Sequence, residues 1–87
     1  MTAAHASRMQ ANLHLQQQAT VSFTASQLWP LYGAYARFGN DLPSFAEEVT
    51  RRLREDGYVG FTAGEDRITV IPFDSVKRID FALLPPA

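Results

Sequence analysis

From Ala11 to Thr24 the chain alternates. Odd positions carry Ala11, Leu13, Leu15, Ala19, Val21 and Phe23, with Gln17 as the break, and even positions carry Asn12, His14, Gln16, Gln18, Thr20, Ser22 and Thr24. A period of two marks an extended strand with one apolar and one polar face. Drawn out straight, residues 12–24 would reach roughly 40 Å, beyond the roughly 30 Å diameter expected of a compact chain of this size. A bend or bulge at Gln16–Gln18, a hairpin centred there, or pairing with a second chain would absorb the excess. Glutamine is a poor residue for the positive φ angles of a two-residue turn, which disfavours the hairpin. The pattern therefore predicts a strand bulged within one chain or shared between two. The preferred reading is a homodimer with Leu13, Leu15, Val21 and Phe23 as its seam.

After Thr24 the period changes. Thr24 with Gln27 fits a capping box, and Leu28, Leu31, Tyr32, Tyr35 and Phe38 fall on one helical stripe, with Pro30 near the start. A second helix is predicted over "LPSFAEEVTRRLRED", capped by Asp41, with Pro43 in its first turn and Gly57 closing it. Its narrow stripe of Phe45, Val49 and Leu53 suits a helix that covers a sheet from one side. "YVGF" and "RITVIPF" read as a hairpin around "TAGED", ending near Pro72, and "VKRIDFALL" alternates again. Residues 1–10 are small and polar without periodicity and read as a flexible tail, leaving 11–87 as one domain. The order strand, helix, helix, three strands predicts an α+β fold: an antiparallel sheet of about four strands covered on one face by a helical hairpin, with the first and last strands as neighbours.

Charge and composition narrow the function. Eight basic and nine acidic residues among 87 give a net charge of −1, so no overall field draws the protein to nucleic acid or to an anionic membrane. There is no cysteine, and the histidines, His5 and His14, lie in the tail and on the strand's polar face. No metal site, cofactor site or catalytic set is expected from them. Glu47 and Glu48 stand four residues before Arg51 and Arg52, a spacing that usually marks a solvated face. Gly57, Gly60 and Gly64 do not form a phosphate loop. The N-terminal residues do not read as a secretory signal and no run reaches the ~20 apolar residues of a membrane span, so a cytoplasmic, soluble protein is expected.

Two segments carry a resemblance. "RRLREDGYVGFTAGEDRITVIP", about a quarter of the chain, resembles the last helix and wing of winged helix-turn-helix regulators. That resemblance implies DNA binding, and the cations Arg51, Arg52 and Arg54, together with Lys77 and Arg78 beyond the segment, would carry it. Against it, Ser44, Glu47 and Glu48 would lead the helix into the groove and Glu65 and Asp66 would tip the wing, setting carboxylates against phosphates. "ITVIPFDSVKRIDF" resembles the strand-turn-strand piece of small bacterial barrels of Sm-like or pleckstrin-homology-like type, but two preceding helices leave too few strands to close one. On the first predicted helix Trp29 falls about 120° from the core stripe, beside Gly33 and Ala36. This makes Trp29, Tyr32, Gly33 and Ala36 the expected docking surface for another protein. The sequence thus predicts a small non-catalytic interaction module, an adaptor or inhibitor acting as a homodimer, with a DNA-binding regulator as the alternative.

Overall fold

The computed structural model describes residues 8–30 and 41–85. Among these are six strands, β1 (Met9–Leu15), β2 (Thr20–Thr24), β3 (Leu28–Trp29), β4 (Tyr58–Thr62), β5 (Ile68–Pro72) and β6 (Val76–Leu83). One helix, α1 (Leu42–Arg51), continues through Arg52–Asp56 in wider π winding. The strands make two three-stranded antiparallel sheets, ordered β2-β1-β6 and β3-β4-β5. The four-stranded sheet under a helical hairpin is overturned, for two local reasons.

The first is the turn inside the long alternating stretch. Gln16–Gln18 form a three-residue loop: the Gln18 N–H donates to the Leu15 carbonyl at 3.0 Å, and the Leu15 N–H to the Ala19 carbonyl at 2.8 Å. Gln18 takes φ 66°, the left-handed residue that completes loops of this length. Only one residue needs positive φ here, whereas the two-residue type I′ turn weighed from the sequence needs it twice. β1 then spans roughly 23 Å, and the strand's length no longer calls for a second chain. Leu13 and Phe23 are buried in the chain's own core, with Leu15 and Val21 packed against it.

The second is Pro30. The capping signal at Thr24 is real, its N–H donating to Gln27 Oε1 at 2.8 Å. It opens only a single 3-10 turn, Ala25–Gln27. The residue before a proline is disfavoured in the helical region, so Trp29 cannot readily continue a helix, and Leu28 already turns extended at ψ 133°. Leu28 and Trp29 pair instead with Phe61 and Gly60 of β4. The rest of that predicted helix, including Tyr32, Gly33 and Ala36, lies outside the described residues.

The two sheets are linked at two corners. The chain passes from the first sheet to the second at Ala25–Gln27 and back again at a second 3-10 turn, Phe73–Ser75. Strands that bend from one sheet into the next make the corners of such packings. Gln27 ties the first corner to β4, its Nε2 donating to the Thr62 carbonyl at 3.1 Å.

The core lies between the sheets and α1. β1 contributes Met9, Ala11 and Leu13, β4 contributes Val59 and Phe61, and α1 and its extension contribute Phe45, Val49 and Leu53. Phe23 links the layers, stacked on Phe61 at 4.8 Å between centroids and meeting Phe45 edge-on at 6.3 Å. Each such buried ring contributes about 1.5–3 kcal/mol from removed apolar surface. β1 begins at Met9, which is fully buried, two residues earlier than the alternation indicates. The second helix starts and ends where the sequence indicates, but Asp41 does not cap it as expected: the Phe45 N–H donates to the Asp41 carbonyl at 3.0 Å, while the Asp41 carboxylate accepts from the Ser44 hydroxyl at 2.6 Å and makes no capping bond to the helix backbone. Gly57 ends the winding at φ 85°.

Candidate functional site

The ladder fixes which backbone groups each edge strand leaves unpaired. Antiparallel neighbours alternate between pairs that exchange hydrogen bonds and pairs that do not. The Leu84 N–H donates to the Arg8 carbonyl at 2.6 Å, in the same register as Gln10↔Ala82, Asn12↔Asp80 and His14↔Arg78. Those residues of β6 therefore bond to β1. Ile79, Phe81 and Leu83 aim their N–H and C=O groups the other way, along an edge that no other strand covers among the described residues.

α1 runs beside that edge and leaves a groove of about 590 Å³, within the range of small-ligand and peptide sites. Thr50, Leu53 and Arg54 form the helical wall, and Phe73, Val76, Ile79 and Phe81 the strand wall. Phe81 is held from behind by Phe45, edge to face at 5.6 Å, so the floor is an extension of the core. Lys77 and Arg78 stand at the rim.

Three of the five cations of the winged-helix reading, Arg54, Lys77 and Arg78, thus meet at one groove. The other two are engaged elsewhere. Arg52 Nε donates to Glu48 Oε2 at 2.8 Å and Arg51 Nη2 to the same oxygen at 2.5 Å, while Arg51 Nη1 reaches Glu55 at 3.4 Å. Glu48 and Arg52 are both buried, which corrects the expectation of a solvated pair. Burial alone would raise the Glu48 pKa. The hydrogen bonds and charges of Arg51 and Arg52 outweigh it and hold the carboxyl below its ordinary range.

A bulge shapes the rim. His14 pairs with Arg78 and Leu15 with Val76, leaving Lys77 as an extra residue in β6. On the outer face of this sheet His14 Nε2 lies 2.8 Å from Asp80 Oδ2, and Thr20 Oγ1 lies 3.3 Å from His14 Nδ1. Ser22 donates to Asn12 Oδ1 at 2.6 Å on the same face. The sequence shows no link between His14 and Asp80, since they are brought together only by the β1–β6 register.

Trp29 sits on the outer face of the other sheet. The register places Trp29 opposite Gly60 and Gly60 opposite Val70, so Trp29, Val70 and Ile68 share one exposed apolar face. The free edge of β5 differs from that of β6, because Pro72 has no N–H to offer a neighbour. Among the described residues no helix is long and apolar enough to cross a membrane. Comparison with protein families, with curated proteins and with solved structures finds no match for this chain.

Proposed function

We propose that the protein is a small non-catalytic interaction module that takes an extended, acidic segment of another protein along β6, in the groove against α1. The observation that carries this reading is the coincidence of three features. An edge that no other strand covers among the described residues offers the backbone groups of Ile79, Phe81 and Leu83, an apolar floor lies beside it, and Arg54, Lys77 and Arg78 surround it. Main-chain bonds to an added strand supply affinity, and the pockets for alternate side chains supply selectivity. The cations favour carboxylates at the rim of the added strand and disfavour a basic segment. Binding moves from the predicted Trp29 surface to this groove, because here backbone donors and acceptors accompany the apolar contacts.

The test is a titration of labelled protein with two hexapeptides, one alternating valine with glutamate and the other valine with lysine. The glutamate peptide shifts the amides of Ile79, Phe81 and Leu83, and the lysine peptide does not. Arg54→Glu together with Lys77→Glu removes the response. Duplex DNA serves as the competing ligand. Tight, steeply salt-dependent binding of DNA with no response to either peptide would favour the regulator instead.

A further inference from the structure

We propose that a second, separate cavity, at the hairpin end of the β2-β1-β6 sheet's outer face, binds a tetrahedral oxyanion such as a phosphate monoester or sulfate. The cavity measures about 220 Å³; His14, Gln18, Thr20, Lys77 and Arg78 give its polar lining, and Leu15 and Ala19 complete it. Successive side chains of a regular strand point to opposite faces. The bulge at Lys77 breaks that rule and sets two consecutive cations on one cavity, a known use of bulges beside functional sites.

Arg78 gives one nitrogen to Asp80 at 3.3 Å and has further N–H donors left for a ligand. Among the described residues no carboxylate lies within ion-pair distance of Lys77. Counting Lys77 and Arg78 against Asp80, the cavity holds a net positive charge before His14 is considered.

His14 stands at the same wall. Its Nε2 lies 2.8 Å from Asp80 Oδ2 and its Nδ1 3.3 Å from Thr20 Oγ1, so the ring holds the Thr20 hydroxyl at the cavity that Lys77 and Arg78 also line.

This inference does not depend on the peptide groove, although Lys77 and Arg78 border both. Titration calorimetry with sulfate and with phenyl phosphate, at ionic strength fixed with chloride, tests it. Saturable one-to-one binding is expected. Equal affinity for the two probes assigns the site to a free inorganic oxyanion, and tighter phenyl phosphate to a monoester. Thr20→Val and Lys77→Gln each weaken binding about tenfold or more, as loss of a hydrogen bond or charge to a dianion does. His14→Gln, which loses the ring contact that holds the Thr20 hydroxyl, also weakens sulfate binding. Thr20→Val leaves peptide binding in the groove unchanged, and the amide spectrum verifies that each variant is folded. Absence of saturable binding, or binding untouched in folded Thr20→Val and His14→Gln, overturns the proposal.

Discussion

Trp29 lies across Gly60: a Cβ added at Gly60 would stand 2.9 Å from Trp29 Cε3 and 3.1 Å from the Trp29 carbonyl oxygen. The absence of a side chain in the middle strand thus lets the indole rest on the sheet. Gly60→Ala should cost about 1–3 kcal/mol of stability, the range for overpacking a close contact. In a Trp29→Ala background the same change should cost less but not nothing, since the carbonyl contact remains. Urea unfolding of the four proteins measures both values.

Gln18 holds a left-handed backbone, which for a residue with a side chain costs roughly 1–2 kcal/mol. Glycine there removes that cost and adds about 0.4–1 kcal/mol of unfolded-chain freedom. Gln18→Gly is therefore expected to stabilise the protein by about 0.5–1 kcal/mol, visible as a raised thermal midpoint. A lower midpoint would mean that the loop does not have this conformation.

Glu48 ties stability to acid. Its folded pKa lies below the ordinary value of 4.5, so the unfolded chain binds the proton more readily. Its stabilising contribution is complete above about pH 4.5 and is lost as pH falls toward the depressed folded value. Near neutrality Glu48→Gln should cost about 3–5 kcal/mol, because it leaves Arg52 buried without its charge partner. Arg52 already has one guanidinium nitrogen, Nη1, without a partner among the described residues. The gap between the unfolding free energies of the two proteins should narrow as pH falls below about 4.5, where the unfolded carboxyl takes up its proton. A constant gap would contradict the assignment.

The β1–β6 register predicts amide behaviour residue by residue. Arg78, Asp80 and Ala82 donate to β1 and should exchange slowly in the free protein. Ile79, Phe81 and Leu83 point away and should exchange quickly. The opposite phase, read from two-dimensional amide spectra in heavy water, would show the strand shifted by one residue.

Much of this architecture was open to inspection in the chain, and the failures have local causes. The alternation around Leu13, Val21 and Phe23 correctly names an apolar face that ends in the core, and the matching alternation of Ile79 and Phe81 brings the closing strand beside it. Pro43 and Gly57 bound the second helix as their chemistry predicts, whereas the Asp41 carboxylate turns to the Ser44 hydroxyl instead of capping the backbone. What misled was turn chemistry. A triple glutamine gives no glycine or asparagine signal, yet the three-residue loop needs only one left-handed residue and Gln18 supplies it. The capping signal at Thr24 suggests a long helix, but Pro30 disfavours the helical region for Trp29, and a single 3-10 turn forms instead. The groove is not legible because its walls, Leu53 and Phe81, lie far apart in sequence and come together in the folded chain. The Glu48–Arg52 spacing was seen, but four-residue spacing says nothing of burial.

The central claim is that β6 accepts an added strand, and amide exchange with the alternating valine–glutamate hexapeptide tests it most directly. With peptide in excess, the amides of Ile79, Phe81 and Leu83 should become protected while those of Ile68 and Val70 on the β5 edge keep their free exchange rates. Protection that appears at Ile68 and Val70 instead, or at neither edge, would contradict it.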